Sequence, residues 1–245
     1  MRRGASQVKI AVGGGTGSEA DPLDVVPFTP EEVRAAVSAA SNWHTYVMAH
    51  VYNPDGIRMA IENEVKSIEH GNLVDEPTLK LMKDKGIWLS PQVLLFTTEP
   101  LCYTEDQLRK HRQAYAGIAN MFRTANKIGF DKIAFGSDII TDPEVLKRIN
   151  KEFVYRSKWF TPAEIMKQAT YNNGQLLAMS GPRNPYPGKL GVIEEGALAD
   201  ILLINGAPLK DLSILTRPEQ NLALIMKDGV IYKDLIGDNE IEMGM

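Results

Sequence analysis

Two histidines and an aspartate each end a short apolar run of this chain. His50 ends the run TYVMAH, His70 ends KSIEH, and Asp138 ends KIAFGSD. Imidazole and carboxylate groups bind zinc and similar divalent metals. Side chains of this kind at the carboxyl ends of successive parallel strands are typical of a metallohydrolase site in a (β/α) barrel.

His50 and His70 are twenty residues apart, about the length of one βα unit. In a parallel barrel this spacing places both side chains at neighbouring strand ends on the same rim. A strand-end histidine is also common as a cap for a carbonyl or as the filling of a polar gap. Asp138 likewise has two interpretations, because it can bind metal and act as a general base, or can cap the next helix.

Lys9 lies inside the apolar run VKIAV, where a buried lysine is costly unless it is paired or modified. In one interpretation its side chain reaches solvent on the outside of the barrel. In the other it points inward, where reaction with CO2 would make it an anionic ligand that bridges metals.

The following run Gly13–Gly17 lacks the pattern of a phosphate-binding loop, and predicts an active-site loop. His111 is predicted to lie on a solvated helix face.

Five strand-like runs alternate with helix signals from residue 8 to about residue 180. The strands are predicted at Val8–Val12, Thr45–Ala49, Lys66–His70, Ile87–Phe96 and Lys132–Gly136. Capping boxes begin helices at Thr29 and at Thr161, the latter running to about Met179, and Thr104–Lys127 is amphipathic at helical spacing. Alternating strands and helices predict parallel βα units. Because a closed barrel needs about eight strands, the predicted fold class is α/β, a partial TIM-type (β/α) barrel.

The pattern changes after Gly181, where four prolines and glycines follow within a few residues. Short strands are then predicted at Ala199–Ile204, Leu222–Met226 and Val230–Tyr232, and a tight hairpin turn joins the last two. We therefore expect two domains. Residues 1–181 would form the partial barrel, and residues 182–245 would form the C-terminal segment of a small β-sandwich.

The composition is that of a globular protein with a sizeable core. Of 245 residues, 44% are hydrophobic and 24% are charged, with a formal net charge of −4. Basic residues form no stripe, so we expect neither nucleic acid nor a membrane as a partner. The single cysteine, Cys102, excludes an internal disulfide framework. Together with the lack of a signal-peptide pattern at the N-terminus, it predicts a cytoplasmic protein.

Longer stretches of the sequence resemble the amidohydrolase superfamily, in particular its prolidase-like and imidazolonepropionase-like members. The matching text is AVGGG after Lys9, AHVYNPDGIRMAIENEVKSIEHGN, FGSD, and the closing GVIEEGALADILLINGAPLKDLSIL and IMKDGVIY. These stretches cover nearly the whole chain. The resemblance implies a distorted (β/α)8 barrel with a small β-sandwich, and hydrolysis of amide or ester bonds with one or two divalent metals, usually zinc.

The same resemblance implies a role for five residues. His50 matches the histidine of the family's fifth strand and His70 that of the sixth. Asp138 matches the aspartate of the eighth strand, which is both a metal ligand and the proton shuttle. Lys9 matches the fourth-strand lysine that becomes carboxylated and bridges two metals. Tyr52 matches a position that contacts the substrate carboxylate in dipeptidase-like members.

The chain departs from the family pattern at one motif. The family's first-strand His-x-His pair, which supplies two ligands to the more buried metal, is absent, and none of the four histidines precedes Lys9. The resemblance thus covers about strands four to eight of the barrel. Five parallel strands leave two edges unpaired. We therefore expect a fragment of a longer protein, or a chain that forms a homo-oligomer.

Two functions compete at this point. In the first, the protein is a metal-dependent amidohydrolase that cleaves an amide or peptide C–N bond of a small, dipeptide-like substrate with metal-activated water and Asp138. In the second, it is a catalytically impaired fragment that persists as an oligomer or a binding module.

Overall fold

A computed structural model describes residues 2–139 and 142–236 of the chain. Its strands are β1 Val8–Ala11, β2 Val47–Val51, β3 Ser67–His70, β4 Trp88–Ser90, β5 Ile201–Ile204, β6 Leu222–Lys227 and β7 Val230–Asp234. Its α-helices are α1 Pro30–Ser41, α2 Pro54–Glu62, α3 Glu76–Lys85, α4 Glu105–Ile128, α5 Pro143–Leu146, α6 Lys151–Arg156, α7 Pro162–Lys167, α8 Asn173–Ala178 and α9 Pro218–Asn221. Short 3-10 turns occur at Leu94–Phe96, Gly181–Arg183 and Leu212–Thr216.

The first four strands form one parallel sheet in the order β1-β2-β3-β4. Each strand is followed by a helix before the next strand begins, as the predicted βα units require. The register pairs Ala11 with His50, and Val51 with His70. The carboxyl ends of β1, β2 and β3 therefore meet along one edge of the sheet, where the predicted site residues lie.

Side chains of β2 alternate between the two faces of this sheet. Val47, Ala49 and Val51 are buried in the hydrophobic core, whereas Met48 and His50 are only partly buried. The strand β3 continues the buried layer with Ile68. One face is thus packed beneath the helices, and the other is the polar face that carries His50.

The structure corrects two of the predicted strands. The strand expected over Ile87–Phe96 ends at Ser90, and a 3-10 turn follows at Leu94–Phe96. Of the strand expected over Lys132–Gly136, a single parallel bridge between Ile133 and Leu89 is formed. Backbone hydrogen bonds of 2.9 Å and 2.8 Å still hold this segment beside β4.

Side-chain amides occupy the other edge of that segment. Asn172 donates to the carbonyl oxygens of Asp131 and Ile133 at 3.0 Å and 2.8 Å. The amide of Asn173 accepts from the backbone N–H of Phe135 and donates to its carbonyl. Because these amides satisfy backbone groups that a neighbouring strand would otherwise bind, the segment holds its position without a regular ladder.

The predicted helix starts are confirmed. Thr29 and Glu32 form a complete capping box on α1, and Thr104 with Gln107 does the same on α4. Thr161 caps α7 as expected, but the predicted helix to about Met179 is interrupted by one π-helical turn at Gln168–Asn172.

The C-terminal part of the described chain is an antiparallel sheet in the order β5-β6-β7. A two-residue turn joins β6 to β7, and both Asp228 (φ 51°) and Gly229 (φ 76°) adopt positive φ, which confirms the predicted hairpin. The division into domains 1–181 and 182–245 stays a prediction, and residues 237–245 lie outside the described residues. In the described ranges, every helix is too short or too polar to cross a membrane.

Candidate active site

His50 lies at the carboxyl edge of the sheet and is held by the glycine run that follows β1. Its Nε2 lies 3.1 Å from the carbonyl oxygen of Gly14. Because a carbonyl can only accept, Nε2 carries the proton and Nδ1 keeps its lone pair. Any side chain at Gly14 would meet the backbone oxygen of Pro22 at 1.9 Å, so glycine is required for this close approach.

His70 reaches the same edge through a left-handed backbone conformation. In the sheet register it pairs with Val51, whose side chain lies in the core, so regular strand geometry would bury His70 on that side. Its φ of 73° instead turns the imidazole toward His50, with the two ring centroids 4.6 Å apart. Backbone strain of this kind concentrates at functional sites.

Asp138 completes the group. Its Oδ2 lies 3.8 Å from Nε2 of His70, too far for a hydrogen bond. Asp138 also has positive φ, 52°, and a third of its side chain is exposed. Both this residue and His70 thus depend on an αL backbone at the point where their segments leave the sheet.

Tyr52 packs against both imidazoles. Its ring stacks on His70 at 4.9 Å and 18°, and meets His50 edge-on at 5.2 Å. The residue is only 2% exposed. Burial raises the pKa of its hydroxyl far above the usual range, while the side chain of Thr16 acts in the opposite direction. Tyr52 is therefore a neutral wall of the site, and its predicted contact with a substrate carboxylate stays a prediction.

Lys9 is exposed and lines an open cavity of about 510 Å³ together with His50. The other lining residues come from β1 and the loop after it: Ile10, Ala11, Gly13, Gly15, Ser18 and Asp21. Lys9 pairs with Met48 in the register and so shares the polar face of His50. The role of Lys9 as a carboxylated ligand stays a prediction.

Burial dominates the electrostatics of both histidines. Desolvation lowers the pKa of His70 to about 3, and repulsion from the charge that His50 carries when protonated acts in the same direction. Desolvation also lowers the pKa of His50, and the charge of Lys9 acts in the same direction. Both imidazoles are consequently neutral at physiological pH, which is the form that binds metal.

Glu69 was missed by the sequence reasoning. It pairs with His50 in the register, so it lies on the polar face one strand away, and Ser67 donates a 2.6 Å hydrogen bond to it. Burial raises the pKa of its carboxyl, while hydrogen bonds from Ser67 and Ser90 and the charge of Lys9 oppose that shift. Because alternate residues of a strand share a face, the pattern of β3 could have placed Glu69 on the polar face.

The loop over the site is held by the first turns of α4. Gln107 donates to the carbonyl of Gly17 at 2.7 Å, and the buried ammonium of Lys110 donates to the carbonyls of Ser18 and Asp21 at 2.5 Å and 3.2 Å. The solvated position predicted for His111 is wrong, because this residue is 2% exposed and packs against the rings of Phe96 and Tyr103.

Comparison with known proteins places these features in a family. The sequence pattern of the amidohydrolase family matches residues 1–237. The chain belongs to the amidohydrolase family. Ochratoxinase of Aspergillus niger is 30% identical over an alignment of 244 positions, which covers 95% of this chain and 47% of that protein. The chain therefore spans about half the length of the curated relatives that it matches.

Solved amidohydrolase-like structures resemble the fold closely. A prolidase complexed with N-methylphosphonate-L-proline superposes with a TM-score of 0.86 at 29% identity, over 95% of this chain and 56% of that one. A Xaa-Pro dipeptidase with bound methionine in its active site gives 0.81 at 32% identity, over 95% and 55%. The expected fold class, a partial (β/α) barrel followed by further strands, is thereby confirmed.

Members of the amidohydrolase family are generally metal-dependent, and the site offers nitrogen and oxygen atoms of the kind that binds zinc. His50 has its unprotonated nitrogen at Nδ1, and its ring lies 4.6 Å from the neutral ring of His70. Nε2 of His70 and Oδ2 of Asp138 lie 3.8 Å apart, so His50, His70 and Asp138 would be the residues to hold a divalent metal. Within the described ranges, however, no three His, Cys, Asp or Glu residues converge as a finished metal site.

One further residue of the site, Gln92, was also missed by the sequence reasoning. It is 3% exposed, and its Oε1 lies 2.7 Å from Nδ1 of His70. It follows β4 by two residues, as His50 and His70 mark the ends of β2 and β3. A polar residue just past a strand end was thus the available signal, hidden by the prediction that this strand continues to Phe96.

Proposed function

We propose that this protein takes part in metal-dependent hydrolysis of an amide or peptide C–N bond, as a dipeptidase or prolidase does. The observation that carries the proposal is the grouping of two neutral imidazoles with a carboxylate, with His70 lying 4.6 Å from His50 by ring centroid and 3.8 Å from Asp138 by nearest polar atoms. Neutral imidazole and carboxylate are ligands that zinc accepts.

The chain's own residues would take two roles in such a reaction, holding a metal and moving a proton. His50 and His70 would hold a divalent metal, most simply zinc, together with Asp138 and with Lys9 if that amine is carboxylated. A metal in this place supplies Lewis acidity and lowers the pKa of water. A third of the side chain of Asp138 is exposed, so this carboxylate could accept a proton from water and pass it to a leaving amine.

A dipeptide-like substrate is the proposed substrate class, by analogy with two related structures. One is a prolidase bound to N-methylphosphonate-L-proline, and another is a Xaa-Pro dipeptidase with methionine in its active site. The open cavity of about 510 Å³ beside Lys9 and His50 is of the size that a small ligand occupies. We propose Tyr52 as a contact of the substrate carboxylate and the cytoplasm as the location.

Hydrolysis of a panel of Xaa-Pro dipeptides and acyl-amino acids tests this proposal. The zinc-loaded or manganese-loaded protein is expected to release free amino acid, followed by mass spectrometry. Asp138→Asn keeps the shape of the side chain but loses its basicity, and is expected to lower kcat by on the order of 10²–10⁴-fold. No release from any substrate, with metal present, would refute the proposal for this chain.

A second candidate, a catalytically impaired chain that acts as an oligomer or a binding module, is favoured by a different observation. The β5–β7 sheet exposes large apolar side chains, with Leu202 53%, Ile231 50% and Tyr232 70% exposed. In the described residues β1 pairs with β2 alone. This candidate predicts a dimer or larger species by light scattering with no hydrolysis, and a monodisperse monomer contradicts it.

A further inference from the structure

Gln92 is held in one orientation by two hydrogen bonds of opposite sense. Its Nε2 donates to the carbonyl oxygen of Ser90 at 2.8 Å, and its Oε1 faces Nδ1 of His70 at 2.7 Å. Because the Ser90 carbonyl can only accept, the amide cannot reverse without losing that bond. The atom presented to His70 is therefore an acceptor, and Nδ1 of His70 must carry the proton.

A consequence follows for the other nitrogen of that imidazole. In the neutral ring one nitrogen donates and the other accepts. With the proton on Nδ1, the lone pair of His70 lies on Nε2, the atom that is 3.8 Å from Oδ2 of Asp138. The side chain of Gln92 thus sets the nitrogen of His70 that faces Asp138 as the unprotonated one.

The backbone just after Gln92 is fixed by the carboxylate of Glu152. The N–H groups of Val93 and Leu94 donate to this carboxylate at 3.0 Å and 2.7 Å. Glu152 is fully buried and pairs with the equally buried Arg156 at 2.7 Å. A buried charge placed against two backbone donors has little freedom, so the segment after Gln92 is held rigidly.

Arg156 holds the backbone just before Gln92 and links it to the segment that leads to Asp138. Its Nη2 donates to the carbonyl of Pro91 at 2.5 Å, and its Nη1 donates to the carbonyl of Ala134 at 2.9 Å. The guanidinium also lies over the ring of Phe135, 4.5 Å from the centroid. A single ion pair therefore fixes the backbone that carries Gln92 relative to the backbone that carries Asp138.

We propose that Gln92 is a positioning residue that locks His70 in its Nδ1–H tautomer and so leaves the lone pair on Nε2, the nitrogen that faces Asp138, with the Glu152–Arg156 pair as its support. The tautomer follows from the hydrogen bonds alone. The consequence for metal binding rests on the proposed function, because it requires that His70 is a ligand.

Two substitutions separate this role from simple filling of the core. Gln92→Glu keeps an acceptor for Nδ1 of His70, whereas Gln92→Met has a similar volume and no comparable acceptor. If Gln92 only packs, the two variants differ in stability but not in the state of His70. If it sets the tautomer, Gln92→Glu keeps the Nδ1–H form and Gln92→Met loses it.

The tautomer is read directly from two-dimensional ¹H–¹⁵N spectra of protein labelled with ¹⁵N in its histidines. The wild-type signal that disappears in His70→Asn belongs to His70. In metal-free wild type and in Gln92→Glu, this residue is expected to show a protonated Nδ1 and an unprotonated Nε2. In Gln92→Met, a mixture or the reversed tautomer is expected. The reversed tautomer in wild type, or an unchanged Nδ1–H form in a folded Gln92→Met, would overturn the proposal.

Zinc affinity of the same proteins, measured by competition with a chromophoric chelator, tests the consequence. Gln92→Met is expected to bind zinc on the order of 10–100-fold more weakly than wild type, with Gln92→Glu close to wild type. Equal affinity in all three proteins would overturn the link to metal binding. If the wild type binds no zinc while its tautomer is as expected, the proposed function fails and the positioning role of Gln92 stands.

Discussion

Acid is expected to destabilise this protein through His70, because the folded chain excludes a proton that the unfolded chain accepts. Burial lowers the pKa of His70 to about 3 in the folded protein, whereas an unfolded histidine titrates near pH ~6.5. The stabilisation by neutral His70 is therefore complete above about pH 6.5 and is lost progressively as the pH falls toward about 3.

The expected loss can be worked out at an accessible pH. At about pH 5 the unfolded imidazole is charged about 30-fold more often than it is neutral, while His70 in the folded state stays neutral. That ratio corresponds to about 2 kcal/mol of unfolding free energy lost between about pH 8 and pH 5. His50 and His111, whose pKa values burial also lowers, add to the total loss of the wild type.

Urea unfolding at both pH values, in EDTA, measures the effect. His70→Asn removes the titrating group, and asparagine tolerates the positive φ of 73°. His44→Asn is the matched control, since His44 also has positive φ, 55°, but lies on the surface. His70→Asn is expected to lose about 2 kcal/mol less than the other two proteins between the two pH values. An equal loss in all three would refute the assignment of His70 as a buried neutral histidine.

Three more substitutions test how the site is held. Lys110→Met is expected to raise amide hydrogen exchange in the loop 13–21 on the order of tenfold, because two carbonyls lose a charged donor. Arg156→Met leaves the carboxylate of Glu152 buried without its partner, and is expected to cost about 3–5 kcal/mol of unfolding free energy in urea. Leu89→Ala creates a cavity under the sheet and is expected to cost about 2–5 kcal/mol in the same assay.

Exposed positions supply two control variants. Lys127→Met lies in the same helix as Lys110 but on the surface, and is expected to leave the exchange of the loop unchanged. Leu202→Ala removes the same number of atoms as Leu89→Ala from a half-exposed side chain, and is expected to cost less than about 1 kcal/mol. Costs for Arg156→Met or Leu89→Ala no larger than those of the controls would contradict the packing described.

The parts of the fold that depend on local pattern were predictable from the sequence. The capping boxes at Thr29 and Thr161 and the amphipathic α4 carry their signals within a few residues, and the structure has each of these helix starts. The alternating apolar runs likewise identified the parallel strands that end at His50 and His70. From these signals the relative order of the strands follows, because parallel βα units add strands side by side.

The parts that depend on distant residues were not predictable. The apolar run Ile87–Phe96 has the composition of a strand, but the backbone N–H groups of Val93 and Leu94 bind Glu152, 59 and 58 residues away. A charge so distant in sequence, which ends the strand and turns the chain, leaves no mark in the local pattern. His111 is likewise buried by residues outside its own helix, the rings of Phe96 and Tyr103.

The geometry of the site was predictable only in part. The sequence placed His50, His70 and Asp138 at one rim, and the structure brings them together there. Pattern alone does not reveal the positive φ of His70, which reverses the side that strict alternation would assign to it. Metal binding by these residues, and by Lys9, stays a prediction.

Metal content is the most direct test of the central claim, that His50, His70 and Asp138 form a site for a divalent metal. Protein produced with zinc and then dialysed is analysed by mass spectrometry of the metal, with His70→Asn as the test and His44→Asn as the control. We predict about one zinc per chain in the wild type and in His44→Asn, and a loss to near zero in His70→Asn. Less than about 0.1 zinc per wild-type chain, or full occupancy in His70→Asn, would contradict the claim.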